Sequence, residues 1–208
     1  MKKHFIFDVD DTLTNSYEIN QQLFVDTFLA VDKSADEQYL RDLHYRNRGV
    51  SMLVQFAEAI SHLGWDIDPA EMVKRNEEMH INSAELFAKM HTFDAAKELL
   101  EVLKKNGKLI SACTNRQYGS QKKIFEVNHM THYFENVISC SDEGHEKPDP
   151  YCLIKLIEKY DEPKDSYIYF GDSKTDRDFA KGAGIDFVII DQYLNEKRFY
   201  KMILESFF

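Results

Sequence analysis

Apolar positions along the chain follow two different rhythms. Five short β-rich runs stand out, most of them apolar at nearly every position: His4 to Val9, Lys108 to Cys113, Asn136 to Ser139, Tyr167 to Phe170 and Phe187 to Ile190. Such runs predict strands covered on both faces, because a strand with one wet face alternates apolar with polar residues. Between the later runs the apolar residues recur every three or four positions. Asp94 to Asn106 places Ala96, Leu99, Leu100 and Leu103 on one helical face and ends on Lys104, Lys105 and a stop at Gly107. A second helix is expected to open at Asp149-Pro150, with proline at its first position and Cys152, Leu153, Leu156 and Ile157 inward. Strands alternating with helices predict an α/β fold on a doubly wound, mostly parallel sheet of Rossmann-like type.

The stretch from about residue 16 to 91 breaks this alternation and reads as consecutive helices. One carries Ile19, Leu23, Phe24, Thr27 and Phe28; a second carries Met52, Leu53, Phe56, Ala57 and Ile60 and stops at Gly64. A third opens at Asp68-Pro69-Ala70-Glu71, a capping-box pattern with proline in the first turn. The expected organisation is a core of residues 1–15 and 92–208 interrupted by an α-helical insertion at 16–91.

Length and charge narrow the function. A chain of 208 residues suffices for one sizeable core with an insertion. A formal charge of -10 opposes phosphate backbones, so no nucleic-acid partner is expected, whereas a local site can still take a small anion. The three cysteines are odd in number and suit packing as free thiols in a reducing compartment. The N-terminal apolar run reaches Asp8 too soon for a signal peptide, and no stretch is apolar enough to span a membrane. A soluble, cytoplasmic protein is expected.

The strand ends carry the chemistry. Asp8, Asp10 and Asp11 follow the first strand, where ligands gather in open α/β sheets. Carboxylates so close repel one another and call for a hard cation such as Mg²⁺. The run Tyr167 to Phe170 likewise delivers Gly171-Asp172 and, a turn later, Asp176. A third strand ends on Thr114 and Asn115, a hydroxyl and an amide, and Lys147 precedes a helix N-terminus, so donors for phosphate are also available.

Taken together, Asp8-Val9-Asp10-Asp11-Thr12, Thr114, Lys147-Pro148 and Gly171-Asp172 with Asp176 resemble the four segments of the haloacid dehalogenase-like hydrolases, over nearly the whole chain. The resemblance implies Asp8 as nucleophile, Asp10 as general acid and base, Thr114 and Lys147 as phosphate ligands, and a magnesium site from Asp8, the Asp10 carbonyl, Asp172 and Asp176; Asn115 is expected to bind phosphate together with Thr114 and Lys147. It also implies that residues 16–91 are the helical cap of the first subclass. Acidic neighbours are expected to raise the pKa of Asp10 and help it hold a proton. Asp11 stands where glycine is usual, and Asn15-Ser16 where Asp-Ser is usual.

The acidic Asp10 disfavours dehalogenation and leaves three readings: a phosphatase of a small phosphorylated metabolite, a mutase of the β-phosphoglucomutase type, or a phosphate-binding regulator without turnover. Arg48-Gly49-Val50-Ser51 is similar to the mutase cap segment, but Met52 follows where the mutase has arginine. Arg46 and Arg48 could grip an anionic leaving group or pair with acids of the insertion; the two readings stand even. His129, His132 and His145 read as solvated, Phe5, Phe7, Tyr167 and Tyr169 as sheet packing, and Trp65 as part of the insertion's core.

Overall fold

In the computed structural model, which describes residues 2–190 together with 205 and 206, five parallel strands form one sheet in the order β3-β2-β1-β4-β5. They are β1 His4–Phe7, β2 Leu109–Thr114, β3 Asn136–Ser139, β4 Tyr167–Gly171 and β5 Asp186–Ile189. Each expected run lies on one of them, with ends displaced by a residue or two. Six helices separate β1 from β2: α1 Tyr17–Leu29, α2 Glu37–Arg46, α3 Met52–Leu63, α4 Pro69–Asn82, α5 Ala84–Lys89 and α6 Asp94–Lys105. Then α7 Tyr118–Val127 follows β2, α8 Tyr151–Tyr160 follows β3 and α9 Lys174–Ala183 follows β4.

Both faces of the sheet are covered because successive strand residues point to opposite sides. Phe5, Phe7, Ile110, Ala112, Ile168 and Phe170 pack with α6 and α7, whereas Ile6, Cys113, Tyr167 and Tyr169 pack with α8 and α9. Phe7 and Phe170 stack at 4.8 Å and are fully buried, each contributing about 1.5–3 kcal/mol through burial. The central strand β1 lies between β2 and β4, and the chain turns to opposite sides after β1 and β4. Their carboxyl ends therefore flank the switch-point crevice where such sheets bind ligands.

The helices after β1 build a cluster of their own from Phe24, Phe28, Leu40, Leu43, Phe56, Ile60 and Met72, with Trp65 packed 5.5 Å from Phe28. Phe87 and Met90, in and after α5, join the sheet's cluster instead. The chain leaves and returns side by side: Thr14 bridges Thr92, Asn15 N–H donates to His91 O at 3.0 Å, and Phe93 N–H donates to Leu13 O at 3.0 Å.

Three local expectations need correction. On α3, Leu53 is 44% exposed and the buried face carries Gln55, Phe56, Ala59 and Ile60. Gln55 can be buried because its amide is saturated: Nε2 donates to Asn47 O at 3.2 Å and Val50 O at 2.8 Å, and Oε1 lies 2.9 Å from His44 Nδ1. Pro150 caps α8 rather than occupying its first turn. At α4 the Asp68 side chain accepts from Ala70 N–H and Pro69 holds the first position, but Glu71 pairs forward with Arg75 at 2.6 Å.

The Gln55 bonds make His44 Nδ1 the donor and leave the ring neutral between Tyr17 and Phe24. Burial pushes its pKa from 6.5 down to about 4. Because the folded value is the lower one, the unfolded chain binds the extra proton, so this stability is complete above pH 6.5 and is lost as pH falls toward 4. The loss approaches about 3 kcal/mol. We expect the stability advantage of wild type over His44→Gln, from urea melts, to shrink steadily between pH 7 and 4.5; a pH-independent gap would refute this.

Candidate active site

Asp8 is the first residue past β1, and its N–H donates to Phe170 O at 2.8 Å, which pins it against the end of β4. Two residues past β4, Ser173 caps α9: its Oγ accepts from Asp176 N–H at 3.2 Å and donates to Asp176 Oδ2 at 2.5 Å, while Ser173 N–H donates to the same oxygen at 3.1 Å. This capping box aims Asp176 back over the strand end. Only glycine fits beneath it, since a Cβ on Gly171 would stand 2.4 Å from Asp176 Cβ and Cγ. Asp8, Asp172 and Asp176 each bring a carboxylate oxygen within 4.8 Å of the others.

Cations meet this cluster from two sides. Lys147 Nζ lies 2.7 Å from Asp8 Oδ1, an ion pair without hydrogen-bond alignment, and 2.7 Å from Asp176 Oδ1. Burial would push the Lys147 ammonium down, but Asp176 and Asp8 outweigh it and hold it above the ordinary lysine range. Asn115 clamps the lysine's main chain, accepting from Lys147 N–H at 2.7 Å and donating to Lys147 O at 3.2 Å. Thr114 is buried, and its Oγ1 accepts from Arg116 N–H at 3.1 Å.

From the insertion, Arg48 Nη2 reaches Asp172 Oδ2 at 3.0 Å and Asp11 Oδ2 at 3.8 Å. Its loop is held by the Gln55 bonds and by Gly49, whose φ is +75° and whose Cβ would fall 2.6 Å from Ser173 Oγ. The two candidate arginines of the insertion therefore differ. Arg46 is 57% exposed and pairs with Glu58 at 3.4 Å, away from the crevice.

The carboxylates remain under-neutralised. Burial, then Asp176 and Asp11, pushes Asp172 up to about 7, and burial with Asp176, Asp172 and Asp10 raises Asp8 against the pull of Lys147. An all-oxygen donor set carrying that much unbalanced charge fits a hard divalent cation. Asp8, Asp172 and Asp176 are the side chains that would hold it.

Asp10 is directed elsewhere. Arg116 Nε donates to its Oδ2 at 3.0 Å and Nη2 to its Oδ1 at 2.5 Å, with Ser16 Oγ and Asn20 Nδ2 also donating to Oδ1 at 2.6 and 3.0 Å. Burial raises this carboxyl, but the Arg116 charge and these bonds outweigh it and hold Asp10 well below the usual carboxylate range. The expected upward shift is thus reversed, because the nearest charge is a guanidinium rather than another acid.

Asp11 has a φ of +56°, the turn conformation that glycine usually supplies, and its Oδ1 accepts from Ser16 N–H at 3.3 Å and Tyr17 N–H at 2.9 Å. It therefore caps the start of α1, which glycine could not do. Tyr169 packs in the sheet as expected, yet its hydroxyl accepts from Lys147 at 3.2 Å. His145 pairs with Asp149 at 2.8 Å, and His129 and His132 are exposed.

Asp8, Asp10, Arg48, Thr114, Asn115, Lys147 and Asp172 form part of the wall of a cavity of about 170 Å³. Sequence patterns alone passed over Arg116, Asn20 and His80, and named Ser16 only within the Asn15-Ser16 pair. Arg116 carried a faint signal, a cation two residues after a strand-end hydroxyl; Asn20 and His80 carried none, since only the tertiary fold brings them here.

Comparison with known proteins agrees with this geometry. A phosphoglycolate phosphatase from Aliivibrio fischeri is 27% identical over 193 residues, covering 88% of this chain and 81% of the relative. A Bacteroides fragilis protein described as a haloacid dehalogenase-like hydrolase superposes with a TM-score of 0.80 at 21% identity, over 97% of this chain and 93% of the other. CbbY from Rhodobacter sphaeroides, solved with phosphate, gives 0.77 at 20% identity over 91% and 86%. These two likenesses concern the fold. The haloacid dehalogenase-like hydrolase profile matches residues 5–190, and the chain belongs to that family, as an enzyme of its phosphatase kind.

Proposed function

We propose that this enzyme hydrolyses the phosphomonoester of a small metabolite through an aspartyl-phosphate on Asp8, with Mg²⁺ as cofactor. The observation that carries this reading is the convergence of Asp8, Lys147, Asp172 and Asp176 at one strand-end crevice opening on the cavity. A bound magnesium ion would supply positive charge to offset the phosphoryl oxygens, held by Asp8, Asp172 and Asp176 with the Asp10 carbonyl.

The protein's own groups account for the rest. An Asp8 carboxylate oxygen attacks phosphorus as the ester oxygen leaves on the opposite side. Lys147 and Thr114 bind the phosphoryl oxygens, and Asn115 fixes Lys147 through its main chain. Asp10, held ionised by Arg116 in the free enzyme, takes a proton brought in by the monoanionic phosphoester, gives it to the departing oxygen, then takes one from the water that cleaves the aspartyl-phosphate. Arg48 stands on the insertion side of the cavity, placed for an anionic leaving group such as a carboxylate; the phosphoglycolate phosphatases among the relatives support a small acid of that kind. The mutase alternative gains no support, because Met52 lines the cavity where that reading calls for arginine.

Residues 16–91 would then be the cap that chooses the leaving group, on a core of 1–15 and 92 onward; the Thr14 to Thr92 bridge supports that division. Among the described residues no helix is long and apolar enough to cross a membrane. The three free, buried cysteines support a cytoplasmic setting.

The test is hydrolysis of p-nitrophenyl phosphate and acetyl phosphate with Mg²⁺ or with chelator. Wild type should turn over only with metal, and Asp8→Asn should lose activity by about 10³-fold or more. Equal inactivity of both proteins over a broad ester panel sinks the hydrolase reading. Activity surviving in Asp8→Asn sinks the covalent route.

A further inference from the structure

Arg116 lies in the turn between β2 and α7, and its side chain is only 6% exposed. A buried guanidinium must have its donors satisfied, and these donors are satisfied in a particular order. Its fork meets both oxygens of Asp10, through Nε to Oδ2 at 3.0 Å and Nη2 to Oδ1 at 2.5 Å, which fixes the plane of that carboxylate. Nη2 also donates to Asn20 Oδ1 at 2.8 Å, and Asn20 Nδ2 returns a bond to Asp10 Oδ1, closing a ring of three side chains.

On the other side, Nη1 faces the His80 ring at 3.1 Å from Nδ1. Burial and the arginine itself push His80 down to about 3, so the ring is neutral and has a lone pair to accept with; it stacks on Phe87 at 5.2 Å. Asn20 belongs to α1 and His80 to α4, whereas Asp10 and Arg116 follow strands β1 and β2.

The two Asp10 oxygens are not equivalent. Among the described residues, Oδ1 accepts from Ser16, Asn20 and Arg116, while Oδ2 accepts from Arg116 alone. Oδ2 thus keeps a lone pair for a proton in transit and can accept from Nε on its other side.

We infer that Arg116 is a positioning residue that presents Asp10 Oδ2 to the leaving-group oxygen, and that it does so only when Asn20 and His80 of the helical insertion hold it in place. The inference rests on the phosphatase reading above. In the step concerned, the bond from phosphorus to the ester oxygen breaks, the Asp8 oxygen bonds to phosphorus, and the proton that the monoanionic ester delivered to Asp10 Oδ2 passes to the departing oxygen. Arg116 exchanges no proton. It sets the direction from which that proton arrives, and through its two holders it ties that direction to the seating of α1 and α4.

The test uses substituted phenyl phosphates, because kcat/KM reports steps up to leaving-group release and the phenols differ in their need for a proton. p-Nitrophenolate departs readily without one; unsubstituted phenolate does not. Arg116→Met should lower kcat/KM for phenyl phosphate at least about tenfold more than for p-nitrophenyl phosphate, steepening the dependence on leaving-group basicity. Arg116→Lys should recover only part, since an ammonium lacks the fork. Asn20→Ala should shift the ratio in the same direction by less, and it carries the test if Arg116→Met does not fold. Equal losses on both esters, or no loss on either, overturn the inference while leaving the phosphatase reading intact. A wild type that hydrolyses neither ester overturns both.

Discussion

Lys147→Met is expected to be the most damaging single change in the protein that keeps the side chain's bulk. The variant leaves Asp8 and Asp176 facing one another with the ammonium that lay 2.7 Å from each removed. Breaking a buried ion pair by deleting one partner destabilises by about 3–5 kcal/mol, because the remaining charge is stranded away from water. Under the proposed function activity should fall by about 10²–10³-fold as well, since the phosphoryl oxygens would lose a preorganised donor. The two effects separate on adding magnesium. Cation binding to the stranded carboxylates should raise the melting temperature of Lys147→Met more than that of wild type, while activity stays low. Thermal melts in chelator and in Mg²⁺ provide the check; a variant as stable as wild type in chelator would show that Lys147 does not hold the two aspartates together.

Gly171→Ala should have a comparable effect from one methyl group. The added Cβ would sit 2.4 Å from Asp176 Cβ and Cγ, where real contacts are essentially never under 3.0 Å. Asp176 belongs to the first turn of α9 and is bound three ways to Ser173, so it cannot yield without breaking the capping box. Overpacking of this kind costs about 1–3 kcal/mol, and an ångström of displacement at a catalytic constellation can cost about 10²-fold in rate. Urea melts and kcat/KM on p-nitrophenyl phosphate measure both. An unchanged melt with unchanged kcat/KM would mean that the strand end has slack the structure does not show.

The strands and the acidic strand ends were legible because they rest on local rules: near-continuous apolar runs for a doubly covered sheet, and carboxylates directly after them. The insertion was less so. Helix α2, Glu37–Arg46, was not anticipated because only Leu40, Leu43 and His44 are buried among polar residues, too few for a periodic stripe. On α3 the apolar pattern points to Leu53, whereas Gln55 is the buried residue, because a glutamine reads as surface until its three bonds are known. The pKa direction at Asp10 failed for a related reason. Asp8 and Asp11 are its neighbours along the chain, but Arg116, more than a hundred positions away, is its neighbour in space. Sequence spacing shows which carboxylates are brought together, not which cation they meet.

The paired crossing at Thr14 and Thr92 has an evolutionary consequence. Because the chain exits and re-enters at hydrogen-bonding distance, the helices α1 to α4 can change in length without moving those two points apart, and closure entropy rises only slowly with the length inserted. Under the proposed function, the strand ends that carry Asp8 and Asp172 and the helices α1 to α4 are then free to diverge at separate rates, so a lineage would change its leaving group by rewriting those helices without rebuilding the strand ends.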